Sequence, residues 1–452
     1  MTRTFNLANQ PWIGVYTTTG ATTLSLADTL GQADRIREVA TGNPLADAAI
    51  NHLLLAIHID SRGDHSTWIN KHSHLLDLFD RDLPFGQYAA LAHRENPQPV
   101  SDLLYNFDTA SASFSSYDSI VNPTTGLTLT PAEAAQLLLV RNHFQIGGLQ
   151  SKQARAISGV GSAWGALWGN FPVIMPRTGT LAADLELAAT AALADKPHLG
   201  TLHLSFPIGV KIGSEIDNPG LLDVLTYPSR VHMFAADEDG TITGGHAAEG
   251  LRLTAENLTP QLMPTTWTTD KKGAHPRKIH LGRPAWQQML DHHIAHPGGM
   301  LDNLPPGTPI TMTSMASYTS RIDGLFHQRT VTPTIGREEA EDLAKLVAEV
   351  RKRIYGDNHI VAGNLTGGGS VSHDSFADTL TSEARPQVTA DLGKIATARM
   401  AGRLTAHQAQ EQARRLVETN RARAHSHLTA KPTAVIDSIT RFQRTPWKGP
   451  KK

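Results

Sequence analysis

Cysteine is missing altogether from the 452 residues, which removes disulfide scaffolds, iron–sulfur clusters, thiolate zinc sites and cysteine nucleophiles. An excess of charge is missing too. The chain sets 41 Lys and Arg against 42 Asp and Glu, which excludes a uniformly basic nucleic-acid coat and an acidic disordered tail, so a polyanion has to be met by local patches. No stretch approaches the ~18 consecutive apolar residues of a membrane span. The start, Met1-Thr2-Arg3-Thr4-Phe5-Asn6, has no apolar run of signal-peptide length. The expectation is a cytoplasmic protein with no membrane partner. Motifs of known chemistry are absent as well: H-E-x-x-H, G-x-S-x-G and G-x-x-x-x-G-K-[ST] do not occur. Metal-ligand residue types stand close together only at His58, Asp60 and His65 and at His292-His293. They leave a metal-dependent hydrolase built on His58, Asp60 and His65 as the alternative to solvated histidines, and no cofactor is otherwise implied.

What is present gives an α+β chain. Apolar residues from Leu45 to Ile59 recur near a helical period and predict a mostly buried helix. Thr130-Pro131-Ala132-Glu133 has the cap, the N1 proline and the capping-box acid of a helix start. Residues 101–126 between them predict a long polar loop with aromatics at Tyr105, Phe107, Phe114 and Tyr117. From Leu202 to Leu281 the pattern turns β-rich. His203–Phe206 and Arg230–Phe234 alternate, and Asp239-Gly240 marks a hairpin turn. After Gly336 an apolar stripe, Ala340, Leu343, Val347, Val350 and Ile354, predicts a helix, acidic at its start, basic at Arg351–Arg353 and stopped by Gly356. Further helices are expected near 376–400, 405–424 and 432–443. The expected organisation is a large mixed α/β domain over 1–335 and a basic four-helix bundle over 336–452, with Gly367-Gly368-Gly369 as an inter-helix loop.

Several segments suit nucleic acid. Ser158 to Asn170 carries four glycines, among them Gly159 and Gly161 beside Ser162, but matches no nucleotide fingerprint. It reads either as a structural turn or as a loop whose backbone approaches a minor groove. Lys271-Lys272 sits in a polar connection and reads as a surface pair or as a projecting finger. Tyr318-Thr319-Ser320-Arg321-Ile322 combines a ring, two hydroxyls and a guanidinium before a turn, and reads as an ordinary loop or as a segment that stacks on and contacts bases. From Thr397 to Lys452 twelve Lys or Arg, including Arg414, Arg415, Arg421 and Arg423, face three acids, which suits a solvated helical face or a phosphate surface.

The order of these features carries a resemblance. Phe5-Asn6-Leu7-Ala8-Asn9-Gln10-Pro11-Trp12-Ile13, then Asp77-Leu78-Phe79-Asp80-Arg81-Asp82-Leu83-Pro84-Phe85-Gly86-Gln87, then Leu129-Thr130-Pro131-Ala132-Glu133-Ala134-Ala135 resemble the CasA family, the large subunit of the type I-E CRISPR surveillance complex Cascade. The resemblance implies a non-enzymatic, DNA-binding subunit. Such a subunit recognises the motif flanking a double-stranded DNA target (the PAM), promotes strand separation and R-loop formation, and recruits a helicase-nuclease for antiviral defence. Guide RNA pairing reads the rest of the target. The other implied partners are the guide RNA 5′ handle, met by the 101–126 loop through Phe114 or Tyr117, and the backbone and small subunits of the complex. By position, the family's glycine loop falls on Gly159, Gly161 and Ser162, and its lysine finger on Lys271 or Lys272. Its glutamine wedge falls on Tyr318 to Ile322, where Arg321 and Ile322 stand and no glutamine occurs. A scaffold that binds only protein is the third class, and it predicts no salt-dependent affinity for DNA.

Overall fold

The computed structural model describes residues 3–103, 126–207, 209–254, 258–271, 273–279, 281–318, 321–366 and 386–426. They form an α+β chain of two compact units, one drawn from Met1–Arg283 and His296–Arg329, the other from Pro284–Ala295 and Thr330–Lys452.

The first unit opens with an antiparallel sheet in which Ile13–Thr17 lies between Gly20–Leu24 and Ile36–Val39. The helix Pro44–Ser61 follows. Asn43 accepts from the Leu45 N–H, and Pro44 fills the first turn, where its missing N–H leaves no bond unmade. Buried side chains lie all around this helix, Leu45, Ala49, Ile50, Leu54 and Ile57 among them, the pattern of a helix with core on every side. It packs on the helices Pro131–Phe144, Leu181–Leu193 and Leu221–Thr226 and on the strands Val173–Pro176 and Pro309–Tyr318. Truncating a side chain such as Leu54, fully buried here, costs about 2–5 kcal/mol. The capping box at Thr130 forms as expected: Thr130 Oγ1 accepts from the Glu133 N–H at 3.2 Å, and Glu133 Oε2 accepts from the Thr130 N–H at 2.8 Å.

Two further three-stranded sheets lie in this unit. Gln98–Pro99, Ile242–Glu249 and Arg230–Ala236 pair antiparallel in that order, and the expected turn lies at Asp239-Gly240, with Gly240 at φ 89°. Val173–Pro176 pairs with Pro309–Tyr318, which neighbours Arg321–Val331. One expected strand is absent. His203–Phe206 forms no ladder; its buried Leu204 and Phe206 are tied by single backbone bonds to Gly86 and Gln87. Alternating burial alone does not make a strand where no partner runs alongside.

The second unit contains Ala285–Ala295, a helix that precedes residue 335, together with Arg337–Thr366, residues 386–400 and Ala406–Ser426. The stripe Ala340, Leu343, Val347, Val350 and Ile354 is buried, and its helix packs on Ala285–Ala295 and Ala406–Ser426. Gly356 does not stop that helix, which runs on to Thr366. A helical glycine costs only about 1 kcal/mol relative to alanine, and it ends a helix when it turns left-handed, which Gly356 does not do. Arg351–Arg353 therefore lie mid-helix, and Arg353 pairs with Glu349 at 3.0 Å. Gly367-Gly368-Gly369 and 432–443 lie outside the described residues.

Candidate nucleic-acid interface

The glycine turn is built by a short helix and a two-stranded ribbon. Ser151 caps Lys152–Ser158 by accepting from the Ala154 N–H, and Gly159 closes the helix in the left-handed region at φ 74°, donating to Arg155 O. A side chain would oppose that conformation. The chain then enters the ribbon in which Gly148–Leu149 pairs with Ser162–Ala163. Gly159, Gly161 and Ser162 are exposed, and a Cβ on either glycine would meet nothing within 4 Å. The turn is not packed against the core.

Its shape comes from below, through the buried Gln150. The Gln150 backbone N–H donates to Gly161 O at 3.0 Å. Its side-chain amide donates to Val160 O at 2.8 Å and Ser158 Oγ at 2.9 Å, while its Oε1 accepts from the Glu249 N–H at 3.0 Å. Three bonds on one buried amide fix the turn without occupying its outer surface.

The chain leaving the turn connects it to the other two candidate segments. The Leu167 N–H donates to the buried Tyr227 hydroxyl at 2.6 Å, and burial pushes that phenol up to about 12. Trp168 is buried, donates to Val224 O at 3.1 Å and meets His52 in a T-shaped contact with ring centroids 4.5 Å apart. Asn170 O accepts from the Ile279 N–H and Pro172 O from the Thr265 hydroxyl, which anchors both ends of the hairpin Trp267–Asp270/Gly273–Pro276. Val173–Pro176 then pairs with Pro309–Tyr318.

The described residues of both remaining segments stand at strand ends. Asp270 pairs with Gly273, so Lys271 stands in the turn and is exposed; Lys272 lies outside the described residues. Tyr318 ends one strand, and Arg321 and Ile322 begin the next, while Thr319 and Ser320 lie outside the described residues. Leu281, past the end of the first hairpin, abuts the second at Gly324: a Cβ on Gly324 would stand 3.0 Å from Leu281 Cδ1. One stretch, Gly159 to Pro176, thus ties together all three segments.

The basic helix is partly self-neutralised. Arg414 pairs with Glu411 at 2.8 Å and Glu418 at 3.1 Å, and Arg415 pairs with Glu411 at 3.3 Å. The two guanidinium groups hold the Glu411 carboxyl down at about 2. Arg421 is half-buried and Arg423 exposed on the same helix, Ala406–Ser426. Residues 104–125, with Phe114 and Tyr117, lie outside the described residues, and 101–103 close a short helix, Val100–Leu103.

The metal-hydrolase alternative does not assemble. His58 Nδ1 faces His65 Nε2 at 3.0 Å and His58 Nε2 faces Glu186 at 3.2 Å, but Asp60 accepts from the Trp68 indole at 2.7 Å. With both nitrogens of His58 engaged and Asp60 turned to Trp68, the three residues share no point. Among the described residues no group of three or more His, Asp or Glu is arranged to hold a metal ion.

The chain has relatives among known proteins. The family model of CRISPR-associated protein Cse1 matches residues 6–293. The chain belongs to the CasA/Cse1 family. A curated relative, CRISPR-associated protein CasA/Cse1 of Thermus thermophilus, is 30% identical over 182 residues, a match spanning 35% of this chain and only 34% of that protein. The CasA/Cse1 fold extends much further: a crystal structure of Thermus thermophilus CasA superposes with a TM-score of 0.77 at 18% identity, over 98% of this chain and 99% of that one. A chain from a CRISPR RNA-guided surveillance complex matches with a TM-score of 0.71 at 16% identity, over 97% of this chain and 98% of that one. Gln150 and Glu249, which shape the glycine turn in this Cse1 chain, carried no signal in the sequence. They act on each other across 99 residues.

Proposed function

We propose that this Cse1 chain is the large subunit of an RNA-guided CRISPR surveillance complex, and that it reads the flanking motif of a double-stranded DNA target. Its role is binding rather than catalysis. Gly159, Gly161 and Ser162 follow the groove floor, Lys271 and Lys272 form the finger, and Tyr318 to Ile322 supply the wedge that starts strand separation. Arg321 or Ile322 takes the place of a glutamine. An arginine enters a narrow minor groove, and an isoleucine inserts between base steps as apolar wedges do in proteins that kink DNA. The helical unit, through Arg414, Arg415, Arg421 and Arg423, lies along a DNA strand. The guide RNA 5′ handle, the other subunits of the complex and a helicase-nuclease are the remaining partners.

What supports this reading is the convergence on Gly159 to Pro176: an exposed glycine turn and two hairpins, far apart in sequence, are attached to one stretch. The likeness to a chain of a CRISPR RNA-guided surveillance complex supplies the setting. The test is a double substitution, Lys271→Ala with Lys272→Ala, in the assembled complex. Binding to duplex with the motif is expected to weaken by roughly 1–3 kcal/mol, with a smaller change on duplex without it. An equal loss on both duplexes would reduce the lysines to phosphate contacts.

A further inference from the structure

The ribbon that holds the glycine turn also displays a tryptophan that the core does not use. Trp164, the residue after the ribbon's second strand, is 48% exposed and Leu149, on its first strand, is 71% exposed. Trp164 is nonetheless fixed from several directions. Its N–H donates to Glu249 Oε1 at 3.0 Å, and its carbonyl accepts from Arg230 Nη2 at 2.7 Å. Arg252 lies over the ring, 5.1 Å from its centroid, and donates through Nε and Nη2 to the two oxygens of Glu249, each at 2.9 Å. The Glu249 side chain is almost fully buried.

A buried carboxylate paired with a guanidinium contributes little net stability, because desolvation offsets most of the attraction. Here that costly pair holds an exposed ring still. One ring face is covered by the guanidinium; much of the ring's surface remains open to solvent. Such a platform suits a planar, electron-rich ring. The segment that carries the ring is free of acidic side chains. No Asp or Glu occurs between Glu133 and Asp184, and Lys152 and Arg155 are exposed on the helix leading to the turn. The platform is joined to the turn itself, since Gln150 bonds both Glu249 and Val160.

We infer that Trp164, backed by Arg252 and Glu249, is a stacking surface for an unpaired base of the DNA strand that passes the glycine turn. The inference rests on the motif-reading function proposed above and names a further contact of the same interface.

The test uses the assembled complex and target DNA carrying 2-aminopurine at the unpaired positions beside the motif. Wild-type protein is expected to quench the probe at one of them. Trp164→Ala relieves the quenching and weakens binding roughly five-fold or more, Trp164→Phe retains most of both, and the melting temperature of either variant stays near wild type. Trp164→Ala that binds and quenches like wild type overturns the inference. So does Trp164→Ala that fails to enter the complex, which would make this face a protein contact. Gly161→Ala separates the two levels. If it abolishes motif binding while Trp164→Ala has no effect, only the stacking surface fails. If neither has an effect, the interface fails with it.

Discussion

Gly159 and Gly161 stand two residues apart in one exposed turn and are glycines for different reasons. Gly159 occupies φ 74° as a helix cap, whereas Gly161 has no positive φ, and neither would bring a Cβ within 4 Å of another group. Gly159→Ala is therefore expected to lower stability by about 1 kcal/mol through backbone strain. Gly161→Ala should leave the unfolding midpoint unchanged and still remove motif binding, because the new methyl group holds the backbone off the groove. Denaturant unfolding of both variants, beside duplex binding by their complexes, checks the pair. A destabilised Gly161→Ala protein that binds DNA normally would return this residue to a structural turn. The sequence marked both glycines, yet it did not distinguish the cap from the approach position, since that difference lies in a backbone angle. Gln150 and Glu249 were not legible at all. Their importance comes from contacts made only when distant segments fold together.

Among the helices and strands, local chemistry was the readable part. The Thr130 capping box and the stripe from Ala340 to Ile354 formed as read, because both depend on residues within a few turns of each other. His203–Phe206 and Gly356 came out differently because strand pairing and helix continuation depend on neighbours elsewhere. The lysine pair and the Tyr318 segment were legible as residue types, but their places at hairpin ends depend on the pairing of Asp270 with Gly273 and on the sheet that holds Pro309–Tyr318.

The buried histidines of three elements give a pH prediction. His52, His143 and His232 are held below their ordinary range by burial, His143 at about 4, and His232 Nε2 stands 3.0 Å from the donating Nε of Arg141. Above about pH 6.5 these imidazoles are neutral whether folded or unfolded. Below it the unfolded chain takes up protons that the folded chain refuses, so stability is lost as pH falls. The slope approaches 1.4 kcal/mol per pH unit for each such histidine. Thermal melts from pH 7.5 to 5 should show the decline, shallower in His143→Gln, and a flat profile would refute it.

The basic helix yields its own test through Glu411, which occupies Arg414 and Arg415. If the helix lies along phosphates, Glu411→Gln releases Arg415 and leaves Arg414 paired with Glu418 alone, raises affinity and steepens the fall of log affinity with log salt, by up to about 0.9 for each further phosphate neutralised. Replacing Arg414, Arg415, Arg421 and Arg423 with Gln flattens the same plot. An unchanged slope in both variants would mean that this face does not meet DNA.

For the whole molecule, the chain combines a near-neutral composition with local cationic features, which suits a subunit that meets nucleic acid at chosen places. The family was legible from three short segments in the first 135 residues, and the fold match extends that likeness over 98% of the chain. The shared fold carries no statement about which residues touch DNA. Site-specific photocrosslinking decides whether the glycine turn and the lysine hairpin read the motif. A crosslinking side chain is placed at Ser162 in one complex and at Lys271 in another, each is bound to target duplex, and the adducts are mapped to the nucleotide. Motif reading requires adducts from both positions within the flanking motif, lost when the motif is replaced. Adducts confined to other subunits, or to DNA outside the motif, would contradict it.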